Sequence, residues 1–334
     1  MLFACAGIPK HLSLPLRADV ERVERASWRV SGDASEPRLV AVAAWQTRAL
    51  FVTDAANECI KWGDRQSGEM KQVYRAERCA HVHNILLADS SRLDLYAIES
   101  LDESQVKETL FRLLRIRWKC ETDKETWTVK WAEKFYEADS KSLDAKEQRT
   151  SLCRFEGHVL CAIARSRRLM FFKHLSDEEE EKLKHESEKK ADTPKRAVGE
   201  QCFDEDIMHV EALSSHSVSL VAIAFVHSIR LYRAREDTQP KAAALNLQET
   251  FRITFGSVHK LLFYGNSLLV AERSSKEDKD NIWSWNIVDD KLETARRVHL
   301  DTLSSVQSWC NVPAENLIYC LDSATNNILS LKLE

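Results

Sequence analysis

Apolar and polar residues alternate along most of the chain with a period of two, not the 3.6 of a helix. The clearest stretch is Ser267-Leu268-Leu269-Val270-Ala271-Glu272, a polar turn over 273–280, then Asn281-Ile282-Trp283-Ser284-Trp285-Asn286-Ile287. It predicts two antiparallel strands joined by a turn, and the same shape fits elsewhere along the chain. Residues 39–45 and 50–54 lead into 59–64 and 72–75. Residues 82–87 and 93–99 lead into Leu114-Arg115-Ile116-Arg117-Trp118-Lys119-Cys120, a strict apolar/basic alternation, and then 127–136. Residues 159–164 pair with 169–172, 220–224 with 229–232, and 317–322 with 327–331. Residues 258–264 and 294–300 flank the opening example as further strands.

The first apolar residues of the returning strands are Ile60, Phe111, Leu169, Ile229, Ile282 and Ile328, about 46 to 60 residues apart. Each interval has room for four strands and their loops. The chain ends after the third strand of its last unit, whereas residues 1–37 carry two unassigned strand-like pieces, near 11–16 and 23–30. Pairing an N-terminal strand with the last unit supplies the missing strand and removes an exposed sheet edge. At these residues the chain resembles the β-propeller superfamily, and more loosely its WD-repeat branch. The echoes are Ile60-Lys61-Trp62-Gly63-Asp64 and Ile282-Trp283-Ser284-Trp285-Asn286, neither holding a Trp-Asp pair, and Gly157-His158, placed away from the start of a repeat. The resemblance implies an all-β fold, with residues 1–334 forming a single propeller of six four-stranded blades closed by an N-terminal strand. A seventh blade is the alternative if residues 1–37 contribute more than that strand.

Composition changes this picture little. Of 334 residues, 44% are hydrophobic and 30% charged, and 52 acidic against 48 basic residues give a net charge of -4. That balance marks neither an acidic nor a basic partner. No stretch approaches the roughly 18 apolar residues of a membrane span. The apolar start over 1–8 is short and lacks a preceding basic residue, so a first strand is expected there in place of a secretory signal. Nine cysteines, an odd number without regular spacing, predict free thiols and a reducing, intracellular compartment. With only 8 glycines and 6 prolines, the turns must be made largely by Asp, Asn and Ser.

The block over 176–197 is dominated by Glu and Lys and predicts a loop insertion, disordered or helical. Its basic pairs, Lys189-Lys190 and Lys195-Arg196, add a nuclear lean over the cytoplasm. Thr193, followed by Pro194, is a candidate phosphosite.

Catalytic signatures are sparse. There is neither a phosphate-cradling Gly-rich loop nor a Gly-x-Ser-x-Gly elbow. His81-x-His83 puts two imidazoles on one strand face, without a Cys or carboxylate at ligand spacing. No catalytic residue, cofactor or metal is therefore assigned. Propeller hydrolases, lactonases among them, gather carboxylates around the central channel with a divalent cation. Asp54, Glu99, Glu272 and Asp322 end second strands here, although a turn also wants a polar residue at that place. Basic clusters with interleaved aromatics supply the candidate contact residues Arg115, Arg117, Arg165, Arg167, Arg168, Arg230 and Arg233. The expected function is a non-catalytic protein–protein interaction scaffold, a subunit of an intracellular complex. A metal-dependent, lactonase-like hydrolase and a nucleic-acid-binding propeller are the alternatives, and the expected partners are proteins, not membrane.

Overall fold

The computed structural model describes residues 16–23, 38–46, 48–64, 70–76, 80–89, 91, 93–103, 108–121, 124–138, 150–187, 197–214, 219–234, 246–274, 279–299 and 303–333. Among them the backbone is nearly all strand, with one α-helix. β1 (Leu16–Val23) lies between the two N-terminal strands expected near 11–16 and 23–30, whose remaining residues fall outside those described. β2 (Leu39–Trp45), β3 (Ala49–Asp54), β4 (Cys59–Asp64) and β5 (Met70–Arg75) form an antiparallel meander. β6 (Ala80–Asp89), β7 (Asp94–Glu103), β8 (Glu108–Glu121) and β9 (Lys124–Ala138) form a second.

The next sheet runs through β10 (Thr150–Phe155), β11 (His158–Ile163), β12 (Ser166–Lys173) and the long β13 (Ala197–Ser214), on to β14 (Ser219–Phe225), β15 (Ser228–Ala234) and β16 (Leu247–Thr254). β13 serves both halves. Its first part pairs with β12, from Phe172↔Ala197 to Ser166↔Ile207, and its second part pairs with β14, from Ile207↔Phe225 to Ser214↔Ser219. β17 (Val258–Tyr264), β18 (Ser267–Arg273), β19 (Asp280–Val288) and β20 (Lys291–His299) make another meander. β21 (Val306–Val312), β22 (Leu317–Asp322) and β23 (Asn327–Leu333) come last in the chain. β1 pairs antiparallel with β23, from Ala18↔Leu333 to Val23↔Ile328, and touches β20 in parallel at Leu16↔Val298.

The second strands β3, β11, β14 and β22 are buried on both faces because neighbouring sheets pack against them. β3, for example, is buried along its whole length. The apolar residues of facing sheets meet in separate clusters. One joins Phe51 and Ile60 to Ile85, Leu114 and Ile116, and another joins Phe111 and Leu113 to Val159 and Phe172. The cluster of Val42, Leu50 and Val52 with Tyr319, Leu321 and Ile328 brings the first meander against the last. Trp283 and Trp285 are both buried between sheets, each meeting Phe255 edge-on.

Turns follow the composition. Asp289 and Asp290 both take positive φ, 46° and 61°, in the two-residue link between β19 and β20, where their short polar side chains tolerate that conformation. Glu156 and Gly157, at 44° and 76°, make the β10–β11 hairpin, so Gly157-His158 is a turn and not the opening of a repeat. Within the charged insertion, α1 (Asp177–Ser187) starts at a reciprocal cap. The Glu179 amide donates to Ser176 Oγ at 3.3 Å, and the Ser176 amide donates to Glu179 Oε2 at 2.9 Å. Asp177 to Glu180 then place negative charge at the positive end of the helix. Residues 188–196, with the candidate phosphosite Thr193, lie outside the described residues.

Candidate functional site

β2, β6, β10, β13, β17 and β21 lie along a channel, and side chains on them stitch neighbouring strands together. Asn84 Nδ2 donates to the Thr150 carbonyl at 2.8 Å, and the Val210 amide donates to Ser151 Oγ at 3.1 Å. The Leu261 amide donates to His209 Nδ1 at 3.3 Å, which leaves the neutral His209 ring its proton on Nε2. Trp309 Nε1 and Asn311 Nδ2 donate to the carbonyls of Leu261 and Phe263 at 2.8 and 2.6 Å. The Val42 amide donates to Ser308 Oγ at 3.3 Å, and the Leu39 amide donates to Asn326 Oδ1 at 2.8 Å. Between β2 and β6 the junction is apolar, through Ala41, Ala43, Val82 and Ile85.

One mouth of the channel opens to about 810 Å³ and carries Arg38, Glu58, His81, Asn84, Lys260 and Asn326 on its wall. Deeper, a narrower space of about 180 Å³ is lined by His209, Glu211, Lys260, Ser308 and Cys310. Burial pushes the Glu211 carboxyl up to about 8, while its own neighbour's amide (Ala212) and the Lys260 ammonium pull the other way. Glu211 is half-buried and keeps some surface on this space. The arrangement can present a neutral carboxyl and an ammonium to a small polar guest. The alternation His209-x-Glu211 was the available sequence signal, and it was missed because β13 was not recognised as a strand.

The carboxylates at the ends of second strands serve the protein itself. Asp54 is fully buried and accepts from Lys61 Nζ at 2.8 Å, from Asn57 Nδ2 at 2.9 Å and from the Arg38 and Ala56 amides at 3.0 and 3.2 Å. Glu99 accepts from Arg112 Nε at 2.7 Å and the Tyr74 hydroxyl at 3.1 Å. Asp322 accepts from the Ser305 amide at 2.9 Å and Thr325 Oγ1 at 2.8 Å, and Glu272 from Trp283 Nε1 at 3.0 Å. His83 is buried with Nε2 2.7 Å from Ser100 Oγ. Among the described residues, no group of three or more His, Cys, Asp and Glu side chains is placed to hold a metal ion. No helix among them is long and apolar enough to cross a membrane.

The candidate arginines divide into two groups. Arg115 and Arg117, expected on an exposed strand face, are buried under α1. Arg115 donates to Asp94 Oδ2 at 2.6 Å, to the Leu175 carbonyl at 3.2 Å and to Glu180, and Arg117 donates to Asp94 Oδ2 at 2.6 Å and to Asp177. Burial alone would raise the Asp94 carboxyl, but these two guanidiniums outweigh it and hold it below its ordinary value. Arg230 is also buried, with Asp204 at 2.7 Å and Glu205 as partners and its guanidinium 4.3 Å from the Phe225 ring centre. A buried guanidinium held by two carboxylates is not available to a partner, so these three are structural groups. Arg165, Arg167, Arg168 and Arg233 are at the surface. Arg167 pairs with Asp206 at 3.0 Å, Arg168 stands 3.9 Å from Glu200, and Arg233 pairs with Asp290 at 2.5 Å. The structure does not gather the seven into one patch.

No family model matches the chain, and no curated protein matches it. Solved structures do. The PQQ-bound form of an aldose sugar dehydrogenase from Streptomyces coelicolor superposes with a TM-score of 0.58 at 8% identity, covering 96% of this chain and 100% of that one. The β-propeller domain of Cps50 (Swd1) from Myceliophteria thermophila gives 0.50 at 8% identity, covering 90% and 98%. A chain of a mitotic checkpoint complex gives 0.50 at 9% identity, covering 99% and 96%. At such identities the likeness is one of fold alone, and the fold is a β-propeller. Nothing in it singles out the WD-repeat branch.

Proposed function

We propose that the chain is a six-bladed propeller, its last blade completed by β1, that holds other proteins together in an intracellular assembly. The blade count is supported by the register of β1 on β23 and by the apolar cluster that joins first and last meanders. The scaffold reading rests on one observation above all. Asp54, Glu99 and Asp322, the groups a propeller hydrolase would turn on a bound cation, are spent on donors of the protein itself. Rigid walls around a stitched channel leave the outer clefts and loops as the surfaces free to vary. Buried Cys153, Cys161 and Cys320, each a free thiol, fit a reducing compartment. The nucleic-acid reading loses Arg115, Arg117 and Arg230 to internal ion pairs.

One observation favours a second, enzymatic reading: Glu211 holds a proton near neutral pH in a channel it shares with Lys260. Affinity purification of the full chain from native extract, with metal analysis of the product, separates the two. Stoichiometric co-purifying proteins are expected. Recovery as a lone monomer, or with stoichiometric calcium or zinc, would overturn the scaffold assignment.

A further inference from the structure

A cleft of about 800 Å³ lies between the first two meanders, away from the channel. Trp45 and Trp62 line one side, on β2 and β4, and Trp118 and Trp127 line the other, on β8 and β9. All four indoles are part-exposed and pack their inner edges on the cluster beneath, where Trp127 meets Phe51 edge-on at 5.6 Å. Two cations stand over this wall: the Arg48 guanidinium is 5.5 Å from the Trp45 ring centre and the Lys71 ammonium 5.4 Å from that of Trp62. Neither has a carboxylate partner among the described residues. The Trp62 Nε1 hydrogen is buried and meets no acceptor. A ligand carbonyl that reached it would satisfy it.

We propose that the cleft binds an extended, proline-containing segment of a partner protein that carries acidic residues among its prolines. Four indole faces offer grooves for pyrrolidine rings, which is how aromatic-lined surfaces take polyproline II chains. That conformation has no internal hydrogen bonds, so its carbonyls are free to accept from Trp62 Nε1. Arg48 and Lys71 supply the charge complement for the acidic residues. The opposite rim carries Glu125 and Asp177, the latter engaged by Arg117. A rim of mixed sign suits a peptide with spaced carboxylates. The Glu125 and Asp177 carboxylates disfavour a nucleic-acid strand, which is charged at every phosphate although its bases would stack on the same indoles.

The proposal rests on the protein-binding reading and names its partner class, so the test has two arms. In the first, the full chain is titrated by tryptophan fluorescence with an array of Pro-x-x-Pro peptides flanked by Glu, with the same peptides bearing Ala for Pro, and with single-stranded oligonucleotides. Saturable binding of proline peptides is expected, weakened roughly tenfold by Ala for Pro. Trp62→Phe, which keeps a ring and removes the N–H, should weaken it about as much, and Arg233→Ala on another surface should leave it unchanged. Absence of proline-peptide binding, equal binding of the Ala peptides, or oligonucleotide binding lost in Trp62→Phe would overturn the proposal. The second arm repeats the native purification with Trp62→Phe combined with Lys71→Glu. Loss of a co-purifying protein supports the cleft. Retention of every one refutes it while sparing the scaffold reading, and a wild-type chain recovered alone refutes both.

Discussion

Burial of Glu211 gives the stability of the fold a pH dependence. Its carboxyl holds a proton in the folded protein up to about pH 8, against an ordinary value of 4.5. Between those values the folded chain binds more protons than the unfolded one, so this group's contribution to stability falls as pH rises through the window. Glu211→Gln keeps the neutral shape and removes the ionisation. By scanning calorimetry the variant should melt above the wild type at pH 8, with the gap closing toward pH 5. A gap independent of pH would rule out this account. Lys61 and Asp54 behave differently, because each buried charge has its counter-charge 2.8 Å away. Such a pair adds little net stability over apolar residues, yet losing one member costs about 3–5 kcal/mol. None of these partners could be read from the alternation that predicted the strands. Periodicity gives the face a side chain takes, and what covers that face comes from distant sequence.

At the scale of elements, β8 illustrates the same division. Its apolar/basic alternation correctly placed Arg115 and Arg117 on one face, opposite Leu114 and Ile116. That face was expected to meet water, and it meets α1, whose Glu180 and Asp177 arrive some 60 residues later in the chain. α1 has 11 residues, too few to stay helical alone in water, so its order depends on the docking. Glu180→Ala removes the carboxylate from Arg115 and from Trp131 Nε1, 3.3 Å away, while Asp94 still holds the guanidinium. Amide exchange over 177–187 should then accelerate by roughly tenfold or more, with a loss of global stability of about 1–3 kcal/mol. Glu181→Ala on the exposed side should do neither. Unchanged exchange in Glu180→Ala would mean that the helix is held by something else. β13 was illegible for another reason. Asp204, Glu205 and Asp206 interrupt its pattern where it passes from one half of its sheet to the other, and no turn residue marks the passage. β16 was also missed, because a strand with mostly polar, outer-facing positions lacks a clean alternation.

For the whole molecule, the decisive geometry is where the chain's two ends meet. Leu333 lies beside Ala18 and Ile328 beside Val23, so the last strand and the first run antiparallel, as do the outer pairs β4–β5, β8–β9, β15–β16 and β19–β20. Those pairs are each continuous in sequence, and the pair β23–β1 is the one that must be assembled from the two ends of the chain. Its loop-closure entropy is that of nearly the full chain, which slows folding more than it lowers stability. The surplus at the start and the deficit at the end were visible in the sequence, although the strand itself sits a few residues from either expected position. A circular permutant that joins Glu334 to Met1 and opens the chain between Asp289 and Asp290 tests this arrangement without removing a residue. It makes β23–β1 local and β19–β20 the pair assembled from the ends, so the same ladder bonds form in both proteins. Opening a short turn of half-exposed and exposed residues disturbs little buried backbone. The permutant should melt cooperatively, with a midpoint within roughly 5–10 °C of the parent and the same far-ultraviolet dichroism. A soluble parent beside a permutant without cooperative unfolding would show that the two ends do not share a sheet.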